Sequence, residues 1–377
     1  MADIYVLNQS LTPVDIIDDY ESLIWTPRYF EPGDFEIYTK ASEKTLSLLR
    51  LDNYVARPDS DMVGIIETVR IESNPDTGDH IIAKGRDLSS LLDRRIVWTQ
   101  TNIDDTVENG VRRLLTENFI SPTLSDRKME NFVLGASQGF TETMSAQYTG
   151  DNVLEVVSNL CKQNGYGFKV ILNDEKNFEF HMYRGTNRSY NQRINPFIVF
   201  SPEFENIVSS DYVHDRSTLK NACNVAGEGE GIFRKTYGVG SVSGLNRREM
   251  FVDANDISSE LEGGSTLSAE QYDNLLIQRG MENLAENVET VSFEGEVESV
   301  RQDVFGRDYF LGDIVTVKNS YGVTEHPRVI EVIQSHDQNG LLTIPAFSYM
   351  EINTGENYLL TENGEILTTE DGEKIVV

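Results

Sequence analysis

The residues whose types could do chemistry are few and poorly grouped. His214-Asp-Arg-Ser217 holds the side chains of a hydrolase triad, in which a serine attacks, a histidine moves its proton and an aspartate orients the ring. Triads assemble from separated elements and are not inferred from adjacency, so these four residues read as an exposed turn. Gly227-Glu-Gly-Glu-Gly231 is the densest glycine run. A phosphate cradle needs a following helix and a Lys-Ser or Lys-Thr pair, and the two glutamates here repel phosphate; the run reads as a strand end or bulge. His80, His181, His214, His326 and His336 are scattered and never fall at the i, i+4 spacing of a helical zinc pair. The acidic stretch Asp253 to Glu262 lacks the alternating ligands and central glycine of a calcium loop and reads as a solvated loop. Cys161 and Cys223 are the two cysteines, too few for a disulfide framework or a thiolate metal cluster. Carboxylate pairs for glycoside cleavage are defined by three-dimensional separation, and among 62 acidic residues no particular pair is singled out. No residue is therefore nominated as catalytic, cofactor-binding or metal-ligating, and no cofactor is expected.

The elements are more informative. At 377 residues and 39% hydrophobic, the chain is long enough for two or three cores, since single domains rarely exceed roughly 250 to 300 residues. Ile4 to Trp98 is mostly strand text separated by Pro, Gly and Asp turns, with a hairpin whose arms are Ile65 to Ile71 and Ile81 to Lys84. The period then changes. Asp105 with Glu108 forms a capping box before Val107, Val111, Leu114, Leu115 and Phe119, predicting a helix over about 105–119. A second helix is predicted over 151–163 with Asn164-Gly165 as its stop, followed by strands Gly167 to Leu172 and Phe178 to Tyr183. Ser268-Ala-Glu-Gln271 caps a third helix, and strands follow at roughly 290–300, 312–318, 328–334 and 341–348. The predicted fold is α+β and mainly β. It comprises a first β-barrel from 1–103 with 191–225, an inserted α+β domain over 104–190, and a second β-barrel over 226–350 with a helix at 268–289. A C-terminal β-hairpin repeat over 351–377 is read from the match of Leu360-Thr-Glu-Asn-Gly-Glu365 with Thr368-Thr-Glu-Asp-Gly-Glu373; such a meander buries little alone and is expected to pack on another chain or on the second β-module.

Charge and composition restrict the function classes. With 32 basic against 62 acidic side chains the formal net charge is −30, which argues against general nucleic-acid binding, because phosphates are neutralised by Lys and Arg. The first residues lack the basic flank and apolar core of a signal peptide. No run approaches the roughly 18 apolar residues of a membrane span, so no membrane segment is expected. Folding in a reducing cytoplasm is the expectation. Trp25 and Trp98 both sit in apolar strand text, where core packing is the simpler account than a sugar platform.

Several phrases together resemble the tail-tip hub proteins of siphophages infecting Gram-positive bacteria. They are Ser22 to Tyr38, Lys84 to Ile96, Phe200-Ser-Pro-Glu-Phe-Glu-Asn206, Asn221 to Gly231, Arg279-Gly-Met-Glu-Asn-Leu284 and Leu311-Gly-Asp-Ile-Val-Thr-Val317, in this order over roughly 1–350. The resemblance implies a structural, non-enzymatic baseplate hub in the virion. Three copies would form a ring that closes or extends the tail tube below the distal tail protein, with two barrels per copy around a channel through which DNA passes on ejection. It implies contacts with the distal tail protein, the tape measure protein and tail-fibre or receptor-binding proteins. The acidic residues then either line the channel, where DNA slides past without sticking, or keep a large assembly soluble. The competing readings are a tail-associated cell-wall hydrolase using a carboxylate pair in the α+β insertion, and a carbohydrate-binding adhesin.

Overall fold

The computed structural model describes residues 3–349 except 77, 205, 207, 208, 262, 263, 297–302, 320 and 339. The predicted hairpin repeat at 351–377 lies outside the described residues. The fold is mainly β, and its largest unit is an eleven-stranded sheet. Across it run Ser209–Asp215, Thr290–Glu296, Gly340–Tyr349, Arg328–Asp337, Ser22–Thr26, Asp34–Lys40, Gly78–Asp87, Val63–Asn74, Tyr54–Ala56, Ile4–Leu7 and Pro13–Ile17.

Alternation explains the N-terminal part. In Asp34–Lys40 the side chains of Phe35, Ile37 and Thr39 are buried and their neighbours are not, the period-2 signature of a half-buried strand. Trp25 stands opposite Phe35 in register, their ring centroids 5.7 Å apart. Ile4, Ile17, Leu23, Trp25, Ile37, Val55, Ile66 and Ile81, drawn from all seven N-terminal strands, share one core. The sheet therefore curls around a common interior, but among the described residues its pairing does not close: Pro13–Ile17 is one edge and Ser209–Asp215 the other. In place of two separate barrels, the N-terminal and C-terminal modules are joined edge to edge, because Gln334 to Asp337 pair with Ser22 to Trp25.

The helices and strands predicted within 104–190 are present, and their core also takes in Leu11, Val63, Ile65, Leu88 and Leu92. Helix α1 (Glu43–Leu48) belongs to the N-terminal module; α2 (Val107–Leu115), which runs into a π-turn over Thr116–Ile120, and α3 (Val153–Asn164) pack with the strands Gly167–Leu172, Phe178–Tyr183 and Phe132–Leu134 around the largest core. Asn152 caps α3 by accepting from Leu154 N–H, and Gly165 closes it in the left-handed region at φ 67°, a conformation glycine adopts without a Cβ clash. The cap of α2 differs from the expected box. Thr106, not Asp105, accepts from Asn109 N–H, and Glu108 turns inward to accept from the backbone N–H groups of Gln138, Gly139 and Phe140 at 2.7, 2.8 and 3.1 Å. A carboxylate offered three backbone donors, each charge-assisted, serves them in preference to one exposed cap.

The segment 191–225, expected with the N-terminal block, pairs elsewhere. Val199–Phe200 adds to Thr316–Lys318, Ser209–Asp215 pairs Thr290–Glu296, and Ala222–Ala226 lies between Thr236–Val239 and Glu249–Asp253. The last three strands are covered by α4 (Ala269–Glu286), whose predicted Ser268/Gln271 capping box is present in both directions. Residues 216–289 thus form an excursion between two strands that are themselves paired, Asp215 opposite Thr290.

Candidate functional site

The residues singled out for chemistry fall apart in space. Asp215 accepts from Ser217 N–H and Oγ–H at 2.7 and 2.9 Å, so Ser217 closes a turn and does not meet His214 as a nucleophile. His214 and Arg216 both hold Glu289 at the neck of the 216–289 excursion. His80 stacks on Tyr38 at 4.8 Å, His181 lies beside Glu179, His326 meets Thr316 Oγ1 at 3.1 Å and His336 meets Tyr20 Oη at 2.9 Å. Among the described residues no three His, Cys, Asp or Glu side chains group as a metal would require. Both cysteines are buried and unpaired, and burial pushes the Cys161 thiol well above its usual range. The glycine run begins where Ala222–Ala226 ends. Gly227 lies so close to α4 that a Cβ there would sit 2.2 Å from Tyr272 Oη, and that hydroxyl accepts from Glu228 N–H at 2.8 Å.

Trp25 is fully buried, as expected, but Trp98 is 52% exposed and lies under the Arg127 guanidinium at 4.8 Å. The expectation of core packing for Trp98 is corrected by the local pairing. Val97 N–H bonds to Asp151 C=O and Ile96 forms a bridge to Asn152, which turns Val97 inward and its two neighbours outward.

One buried polar group has the composition of a reaction centre. Where the inserted domain meets α4, Tyr148 donates to Glu282 Oε1 at 2.6 Å and Gln278 reaches the same oxygen at 3.1 Å. Arg279 forks onto Asp256 at 3.1 and 2.8 Å, with its Nε 3.9 Å from Glu282. Burial raises the Glu282 pKa, opposed by Tyr148 and Arg279, and the cleft in front of it is lined by Asp151, Glu155 and Asn159. A carboxyl group biased toward its protonated form is what general-acid catalysis uses. Here its partners are spent on bridging. Asn159 donates to Glu286 at 2.7 Å, Gln278 to Gln163 at 3.2 Å, and Gln147 exchanges two bonds with Ser258. The cluster joins two elements through polar contacts, while the apolar cores on either side share no residue.

Tyr29, unremarked in the sequence except as part of a phrase, is the residue where all three parts meet. It is fully buried; its hydroxyl donates to Gly165 C=O at 3.0 Å and accepts from Gly185 N–H at 3.2 Å, and its own N–H bonds to Ile330 C=O at 2.8 Å. Beside it Arg28 pairs with Glu331 and Asp34. An aromatic followed by a strand-pairing backbone gives no sequence signal of such a role.

Large apolar side chains stand out on the loops of the C-terminal half. Ile232, Phe233, Leu245, Ile194 and Tyr321 are each more than four-fifths exposed. Phe251 is also exposed and carries the Arg234 guanidinium at 5.8 Å, which places it beside the loop that bears Ile232 and Phe233. Tyr190 and Lys318 are in cation–π contact at 5.4 Å, joining the 190–197 loop to the strand that ends before Tyr321. Scattered single apolar residues are ordinary on a surface, but clustered ones on loops mark contact faces.

Comparison with known proteins adds the following. The family model described as Siphovirus ReqiPepy6 Gp37-like protein matches residues 3–347. No curated protein matches the chain in sequence. Among solved structures, the tail protein from Neisseria meningitidis MC58 is similar at 13% identity with a TM-score of 0.58, over 94% of this chain and 98% of that one. The 43 kDa tail protein of prophage MuSo2 from Shewanella oneidensis is similar at 11% identity and 0.58, over 93% and 99%. The prophage tail protein gp18 from Listeria monocytogenes EGD-e is similar at 11% and 0.53, over 92% and 94%. At these identities the likeness is one of fold.

Proposed function

The chain belongs to the family of Siphovirus ReqiPepy6 Gp37-like proteins, and from that premise we propose that it is a structural hub of a phage tail tip. Three copies form a ring that closes or extends the tail tube below the distal tail protein. With two β-modules in each copy, the three copies together supply six curved, barrel-like walls around a channel, and DNA passes through on ejection. The distal tail protein and the tape measure protein meet the ring from above, and tail-fibre or receptor-binding proteins attach at its periphery. The observation that carries this reading is the edge-to-edge joining of the two modules through Gln334–Asp337 and Ser22–Trp25. That pairing fixes their spacing within one copy, as a wall built from repeated units requires. The loop residues Ile232, Phe233, Leu245 and Tyr321 support it as contact points between subunits. The test is electron-microscope class averaging of the purified chain with a mass measurement on the same sample. Threefold rings with an open channel are the expected result; monomers, alone and with the distal tail protein added, would overturn it.

One observation favours a second reading, the buried Glu282 with Asp151 at the cleft beside it. On that reading the chain is a cell-wall hydrolase. Release of sugar or peptide from peptidoglycan by the purified chain, abolished by Glu282→Gln, would establish it; our proposal is that the chain is not an enzyme and that no release occurs.

A further inference from the structure

Beside the inserted domain lies a surface patch that the hub reading leaves unused. Trp98 is 52% exposed, Ile96 41% and Leu124 43%. They are held together by Arg127, whose guanidinium lies over the Trp98 ring, whose Nη2 donates to Ile96 C=O at 2.8 Å and whose N–H donates to Leu124 C=O at 3.0 Å. Arg95 joins the group by donating to Arg127 C=O at 2.9 Å. Among the described residues the side-chain hydrogen bonds of Arg95 and Arg127 go to carbonyl groups and to Asn118, not to a carboxylate. Burial and the neighbouring Arg95 charge hold Arg127 below the usual arginine range, with Asp126 opposing them only through space. Two adjacent guanidiniums without an anion are an anomaly in a chain of net charge −30. One indole face is covered by a guanidinium and the remaining side chains are aliphatic, so the bare aromatic platform that a sugar stacks on is missing. An exposed Trp with Arg and aliphatic neighbours is instead the composition of a protein-binding hot spot.

The sequence contains a complement. Residues 351–377 carry seven acidic side chains against Lys374 alone, spaced between Tyr358-Leu-Leu360, Ile366-Leu367 and Ile375-Val-Val377. A stretch of that length extends to about 90 Å, whereas a compact body of this size has a radius of gyration of about 20 Å. Being covalently linked to the patch also raises the effective concentration of the segment there. We propose that the patch formed by Ile96, Trp98, Leu124, Arg95 and Arg127 docks the acidic, apolar C-terminal segment 351–377 of the same chain. The carboxylates meet the two guanidiniums and an apolar triplet covers the indole. This assignment is independent of the hub reading.

The test uses the full chain with Trp98→p-benzoylphenylalanine, irradiated and mapped by mass spectrometry. Cross-links into 351–377 at single-chain mass are expected. Joint reversal of Glu365, Glu370, Asp371 and Glu373 to Lys should lower their yield at least fivefold. In the unlabelled chain the same reversal should raise acrylamide quenching of tryptophan emission, because Trp25 is fully buried and only Trp98 can respond. Cross-links that map to another surface, that appear only at twice the chain mass or that survive the charge reversal would overturn the assignment. So would the absence of cross-links together with unchanged quenching.

Discussion

Asp87 shows how much one side chain carries. Its carboxylate accepts from Gly33 N–H at 2.9 Å and Ser89 N–H at 2.7 Å, so it ties a turn to the start of the 3-10 segment Leu88–Arg94. Burial outweighs these donors and raises its pKa to about 6. The folded state therefore holds this proton more tightly than the unfolded chain, and the stability tied to it falls as pH rises from the ordinary aspartate value to about 6. The loss is about 3 kcal/mol, at about 1.4 kcal/mol per tenfold in proton affinity. Asp87→Asn does not titrate, so its melting temperature relative to the wild type should improve between pH 4 and pH 7; a constant difference would refute the assignment. Glu108 is the opposite case. Burial would raise its pKa, but the N–H groups of Gln138, Phe140 and Gly139 hold it below the usual range. Its contribution is present above the ordinary glutamate value and lost as pH falls through the lower folded one. Glu108→Ala should cost about 1 to 3 kcal/mol in urea unfolding at pH 7, because it removes charge-assisted bonds to three part-buried backbone donors. Neither role was legible in the sequence. A carboxylate's partners are set by which loops come near, and alternation around Trp98 defined two faces without saying which one the core would take.

At the scale of elements, α4 and the strand beneath it make the sharpest prediction. Tyr272 Oη donates to Ile257 C=O at 3.1 Å while accepting from Glu228 N–H, and Gly227 leaves the space for it. Gly227→Ala should destabilise by about 1 to 3 kcal/mol through overpacking, and Tyr272→Phe by about 1 to 3 kcal/mol through lost hydrogen bonds. The double variant should cost less than the sum, since removing the hydroxyl relieves the clash; strict additivity in denaturant titrations would contradict the contact. Helices were readable because their signals are local: Ser268 with Gln271, Asn164-Gly165 and the apolar faces of α2 and α3 all lie within a few residues of what they specify. Strand text was equally visible, but partners were not. Val199–Phe200 finds Thr316–Lys318 across more than a hundred residues, and nothing in either segment encodes that choice alone.

The whole molecule is where assembly is tested. Ile232 and Phe233 are 93% and 84% exposed, so on the proposed hub reading joint replacement by Asp should leave the stability of the single chain within about 0.5 kcal/mol while abolishing rings in sedimentation. Retained rings would move the subunit contacts elsewhere. If acidic side chains line the channel, reversing several of them to Lys in tail particles should slow DNA ejection; an unchanged rate would leave the −30 charge to solubility. The excursion 216–289 leaves and rejoins the large sheet at one register pair, Asp215 opposite Thr290. Its core is its own, and it touches the inserted domain through hydrogen bonds between Tyr148 and Glu282, Gln147 and Ser258, and Asn159 and Glu286. Such a junction is a natural graft point. A single recombination at that pair trades, enlarges or removes the whole excursion, a short turn closes the gap, and the large sheet inherits no change of register.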